Sequence, residues 1–202
     1  MTITDCGQLT GDEAEETSQK AVDSTGDPYE DYPEDQGGEL TASQVVKIAT
    51  DLKGFGNTAF KAGDLDLGLE KYQKGLRYLN EEPSLDGEPP ETKKAIQALR
   101  FTLNSNSALL SNKLKAYDDA LRFASSALDI ANITDAEKAK ALYRRAIAEL
   151  ALKDEEGALK DLQEANTLVP NDAAVVKELT QVKKVTAERA KKEKAAYSKA
   201  FA

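Results

Sequence analysis

Lys53, Asn57, Asn106, Lys140 and Arg144 set three cations and two side-chain amides at regular places in a chain of 202 residues that has no histidine and a single cysteine. Ammonium and guanidinium groups neutralise carboxylates, and Asn amides bond to carboxylate or peptide groups. Two of the spacings, Lys53 to Asn57 and Lys140 to Arg144, are four residues, which on a helix is one face. The chemistry open to such a set is recognition of carboxylates held close together, as at a polypeptide end whose last residue is itself acidic. A peptide gripped there binds extended, and internal acidic segments, which lack the terminal carboxylate, bind poorly. Any single Lys or Arg on a helix is ordinarily a solvated surface group, so the reading rests on the set of five.

The elements that must position them repeat. Gly56, Ala108 and Ala146 are each followed twelve residues on by Gly68, Ala120 or Ala158, and seven residues later by Gly75, Ala127 or Ala165. Pro170 closes the last copy. Small residues at these places let paired antiparallel helices approach closely, while Phe60, Tyr72, Tyr117 and Leu162 fill the remaining volume. This layout resembles the tetratricopeptide repeat, a helix-turn-helix unit of about 34 residues. The expected fold is therefore all-α, a tetratricopeptide superhelix of three repeats plus a long C-terminal helix, preceded by a disordered acidic tail.

Boundaries follow from local signals. Thr41 and Gln44 have capping-box spacing before the stripe Val45, Ile48, Leu52 and Phe55, and Gly63 and Asp64 end one helix and cap the next. Pro83, Pro89 and Pro90 forbid a continuous helix in an insertion after the first repeat. Thr134 and Glu137 form a second capping box, and Asn171 is taken as the cap of the last helix. The repeats are placed at about 41–80, 91–132 and 134–170, within a domain spanning 41–170, and a basic capping helix at 171–202. In such stacks the first helix of each pair lines one shared groove, toward which all five residues can point. Phe60 and Ile147 are its candidate apolar neighbours.

Charge divides the chain. Residues 1 to 40 hold twelve Asp and Glu against Lys20, a net of −11; the whole chain is −9, so the remainder sums to +2. The segment 11–40 reads as a disordered acidic linker, because its composition offers too little apolar surface to offset ordering entropy. An interaction motif built on Tyr29 and Tyr32 is the alternative.

The missing histidine removes the commonest general base and metal ligand, and with one cysteine, Cys6, zinc sites and Cys-His pairs are not available. No glycine-rich phosphate loop occurs. Catalysis is not expected, nor any cofactor or metal. One cysteine, no membrane-spanning stretch and no signal-type opening lead to the expectation of a cytoplasmic protein. Between Lys177 and Lys199 eight Lys and Arg face three Glu, behind the stripe Val175, Leu179, Val182 and Val185. A basic amphipathic helix of this kind is a capping helix with a wet basic face, or alternatively a calmodulin target; no membrane role is assigned to it. Nucleic acid is not expected as a partner, since no basic patch is interleaved with stacking aromatics.

The five residues match the carboxylate clamp of tetratricopeptide co-chaperones. The segment ALYRRA at 141–146, the proline-bearing insertion and EKAAYSKAFA at the end resemble the forty-kilodalton cyclophilin family, and TITDCGQL at 2–9 is similar to its last barrel strand. The resemblance makes 1–10 a remnant of that strand. It implies binding of the acidic C-terminal tail of heat-shock protein 90, with heat-shock protein 70 as the second candidate, and gives Tyr197 and Phe201 a modulating role. The full-length family is a peptidyl-prolyl cis-trans isomerase, but the rest of the barrel with its catalytic arginine is missing, so no isomerase activity is expected of this chain. Two other readings stand beside it: a fragment of an isomerase, or a repeat scaffold for an unrelated protein.

Overall fold

The computed structural model describes residues 23–200 apart from position 82, without the side chains of 193 and 195–200. The strand remnant expected at 1–10, the first part of the expected linker at 11–22, and Phe201 lie outside the described residues, and so does the side chain of Tyr197. Among the described residues there are seven α-helices and no strand: α1 (Ala42–Ala62), α2 (Leu65–Asn80), α3 (Pro90–Lys113), α4 (Tyr117–Leu128), α5 (Asp135–Ala151), α6 (Glu155–Leu168) and α7 (Ala173–Ala200). The expected all-α architecture of three helix pairs and a long final helix is met.

Both capping boxes form. The Thr41 hydroxyl accepts from the Gln44 amide while Gln44 Oε1 accepts from the Thr41 amide, and Thr134 and Glu137 repeat the exchange at α5. Asp64 and Asp154 cap α2 and α6 through the amides of Leu67 and Gly157. The cap of α7 is Asp172, whose Oδ1 accepts from the amides of Ala174 and Val175. Asn171, expected there, instead turns the chain at φ 68°, a left-handed conformation that Asn tolerates well. The turn inside each repeat uses the same conformation at equivalent positions, Gly63, Lys115 and Lys153, with φ of 87°, 63° and 71°. Only the first is a glycine, the residue that adopts it without steric cost.

Three apolar clusters join the helices among the described residues, two large ones and a small one of Phe101, Ala127 and Ala141 that seats α5 against the second repeat. Leu52, Tyr72, Leu76, Leu79, Leu103 and Leu110 lock α1, α2 and α3 together. Ala139, Leu142, Leu162, Val175, Leu179 and Val182 bind α7 onto the third repeat, each large aliphatic group contributing roughly 1.5–3 kcal/mol of burial. Val185, read as part of that stripe, is exposed. The first helices α1, α3 and α5 lie side by side, with α3 contacting both of the others, and so form one wall.

Residues 23 to 40 depart from the expected disordered linker. They form a strap along α2, with a short 3-10 turn at Pro33–Gln36. Asp27 is wholly buried, and its Oδ2 accepts from Lys71 Nζ at 2.8 Å and Lys74 Nζ at 2.7 Å. Asp23 also pairs with Lys71. The Tyr78 hydroxyl donates to the Glu30 carbonyl and accepts from Gln36 Nε2. For residues 23–40 composition is a poor guide because it counts apolar area, whereas this strap is held by matched charge and by hydrogen bonds to α2.

Candidate functional site

Lys53 and Asn57 stand one turn apart on α1, Asn106 is on α3, and Lys140 and Arg144 stand one turn apart on α5. All five are therefore on the wall of first helices. Their meeting point is Tyr72 of α2. Its hydroxyl donates to Asn57 Oδ1 at 2.7 Å, and it also bonds with Asn106 and lies within the field of Arg144. Burial raises the Tyr72 phenol above its ordinary value, against the opposing pull of Asn106 and Arg144. One buried hydroxyl thus links residues from three repeats.

Tyr72 reaches this place because Gly56 has no side chain. A Cβ there would stand 2.6 Å from Tyr72 Cδ1, so any larger residue displaces the ring. The small-residue pattern in the sequence gave Tyr72 the role of a volume filler; nothing in the spacing indicated that its polar end would organise the wall.

Arg144 is 7% exposed. Its Nη1 donates to the Ser105 hydroxyl at 2.6 Å and to the Ser105 carbonyl, and its own carbonyl accepts from Asn112 Nδ2. Burial lowers the guanidinium to about 10, so it remains charged at neutral pH. Lys140 is exposed, yet partial desolvation together with the Arg144 charge pushes its ammonium below the ordinary lysine value. Among the described residues, no carboxylate is paired with Lys53, Lys140 or Arg144. The neighbouring Arg145 has the opposite circumstance: Asp161 holds it with two bonds of 2.6 and 2.8 Å, and this pairing raises its value. Ser105, like Tyr72, is a contributor that sequence reasoning missed. It sits next to Asn106 but on the buried side of α3.

Phe60 and Ile147 are half-buried on α1 and α5, each three residues beyond a clamp candidate. Lys113 Nζ lies 5.9 Å from the centre of the Phe60 ring. At the far end of the array, the valine and leucine stripe of α7 is spent on the third repeat, and Arg189 reaches Glu155 at 3.2 Å. No described helix is long and apolar enough to cross a membrane.

No family model matches the chain. Peptidyl-prolyl cis-trans isomerase D of Cryptococcus neoformans is 38% identical over 100% of this chain and 57% of the relative, and the Mycosarcoma maydis protein of the same name is 36% identical over 98% and 55%. The chain thus spans little more than half the length of the curated relatives it matches. Among solved structures, the C-terminal TPR-containing domain of a Plasmodium falciparum FK506-binding protein superposes with a TM-score of 0.66 at 26% identity, covering 75% of this chain and 97% of that one. The first TPR of Spaghetti (RPAP3), solved bound to the HSP90 peptide SRMEEVD, gives 0.55 at 26% identity, covering 70% and 95%. Helix pairs, repeat spacing and these likenesses lead to one statement: this is a tetratricopeptide-repeat chain, homologous along its whole length to part of the peptidyl-prolyl cis-trans isomerase D family.

Proposed function

We propose that this chain is a co-chaperone module that binds the acidic C-terminal peptide of heat-shock protein 90 through a carboxylate clamp. Lys53, Asn57 and Asn106 take the terminal carboxylate, Lys140 and Arg144 take the side-chain carboxylate of the last residue, and Phe60 and Ile147 contact apolar side chains upstream. The observation that carries this reading is the pairing state of the wall. Arg144 is almost fully buried yet held only by Ser105, with a second cation one turn away and no carboxylate partner among the described residues. A buried cation left without an anion is costly, and a ligand carboxylate relieves that cost. The similar repeat domain solved with SRMEEVD supports the choice of ligand.

Half-buried Lys53 and exposed Lys140 make the cleaner test, because replacing buried Arg144 also disturbs packing against α3. Calorimetry with an MEEVD peptide is expected to show a loss on the order of 100-fold for Lys53→Ala combined with Lys140→Ala. Amidating the peptide's C-terminus should weaken it similarly. Undiminished affinity in both arms rejects the clamp. The same titration with an IEEVD peptide measures preference against heat-shock protein 70. The docked stripe of α7 favours a capping role over calmodulin recognition, and the isomerase activity of the full-length relatives is not proposed for this chain.

A further inference from the structure

Tyr72 is 2% exposed and belongs to α2, a second helix, yet its hydroxyl ends on the wall of first helices. Its proton goes to Asn57 Oδ1 at 2.7 Å. Asn106 of α3 bonds to the same phenol and opposes the rise that burial causes, which is what a donor to the phenol oxygen does. Arg144 offers donors alone and cannot take the proton. The bonds therefore run in one direction: Asn106 donates to Tyr72, and Tyr72 donates to Asn57.

This direction decides which end of Asn57 is left for a ligand. A carboxamide carries its acceptor and its two N–H donors at opposite ends of one planar group. With Oδ1 engaged by Tyr72, Nδ2 is the end that remains, and among the described residues nothing accepts from it. Asn57 is half-buried, and Lys53 stands one turn before it on the same helix. Both residues thus present donors. An amide turned the other way would set Oδ1 against a ligand carboxylate, acceptor against acceptor.

We infer that Tyr72 is a positioning residue: it fixes Asn57 as a donor and so makes the site selective for a free C-terminal carboxylate over a terminal carboxamide, an inference that rests on the clamp proposed above. A carboxylate brings only acceptors, which suit Asn57 Nδ2 and the Lys53 ammonium. A carboxamide brings N–H donors, and these need an acceptor that a fixed Asn57 does not supply. Tyr72 acts through Asn57 and not on the peptide. Because the amide is oriented before the ligand arrives, less entropy is lost when the peptide is gripped.

Tyr72→Phe removes the hydroxyl and keeps the ring that fills the space left by Gly56. Free-acid and C-terminally amidated MEEVD peptides are titrated by calorimetry into the unmodified full chain, Tyr72→Phe, Asn57→Ala and the double variant. Tyr72→Phe is expected to weaken the free acid by about fivefold and the amidated peptide by less than about twofold, so that selectivity falls. In the Asn57→Ala background the same change should cost less than about twofold, since its effect passes through Asn57. Equal losses for the two peptides, a loss undiminished when Asn57 is already alanine, or no loss at all would each overturn the assignment. Free-acid binding that ignores Lys53→Ala combined with Lys140→Ala rejects the clamp itself and this inference with it, a failure recognisable apart from the other three.

Discussion

Lys71 and Lys74 on α2 and Lys140 and Arg144 on α5 are two cation pairs on one repeat scaffold in opposite circumstances. The first pair is buried beneath the strap and converges on Asp27, so its charge is matched within the chain. The second pair lies on the wall of first helices and forms no ion pair with a carboxylate among the described residues, Glu137 acting on Lys140 only through its field and less strongly than burial and Arg144. Burial raises the Asp27 carboxyl, but the bonds from Lys71 and Lys74 outweigh it and hold the group below its ordinary range. Lys140 responds the other way, its ammonium lowered by burial and by the like charge of Arg144. Charge that is satisfied internally serves stability, whereas charge left unsatisfied is available to a ligand.

The largest expected effect breaks the first pair. Asp27→Ala leaves two buried ammonium groups without their shared anion, and a loss of about 3–5 kcal/mol in urea unfolding is expected. Peptide affinity measured on the folded fraction should not change. Because the folded Asp27 value is depressed, its contribution is present above the ordinary carboxylate value of 3.8 and is lost as the pH falls through the lower folded value. Acid should therefore release the strap, and following the Tyr29 ring and amide resonances during an acid titration checks it. The converse experiment, Lys53→Ala with Lys140→Ala, is expected to cost on the order of 100-fold in peptide affinity but less than about 0.5 kcal/mol in stability. A large stability loss there, or a large affinity loss in Asp27→Ala, would erase the distinction.

How much of this could be read from the residues differs between the two regions. Repeat spacing, both capping boxes and the Gly63 and Asp64 boundary are local signals, and they placed Lys53, Asn57, Asn106, Lys140 and Arg144 on first helices before any packing was known. The strap was not legible, because its stability comes from Lys71 and Lys74, more than 40 residues along the chain from Asp27. Nor was the Tyr72 hydroxyl, because a repeat pattern specifies the volume of a side chain and is silent about where its polar end comes to rest.

A third, smaller effect sharpens the contrast on α5 itself. Glu149 is 8% exposed, and burial, with Asp161 adding to it and Arg145 opposing, raises its carboxyl to about 7; Asp154 also faces it. Its Oε2 has no hydrogen-bond partner. A raised carboxyl favours the protonated form when folded, so Glu149 costs nothing below its ordinary 4.5 and its full penalty above about 7. Glu149→Gln is expected to stabilise the chain by about 1–2 kcal/mol at alkaline pH and to give no gain in acid. Unfolding at the two extremes of pH decides it, and an equal gain at both would mean that packing rather than charge is responsible.

The smallest effect concerns a lysine whose charge plays no part in either region. Lys153 occupies the place of Gly63 in the third repeat and holds φ at 71°. Its Cβ is strained in that conformation, whereas glycine adopts it freely. Lys153→Gly should therefore stabilise by about 0.5–1 kcal/mol, the relief of strain exceeding the extra entropy gained by the unfolded chain. Lys153→Ala is the control: it removes the same charge and keeps the Cβ, so it should not stabilise. A melting-temperature gain in the glycine variant alone assigns the effect to backbone conformation, while equal gains in both would make Lys153 a third charge environment that neither pairing nor ligand binding explains.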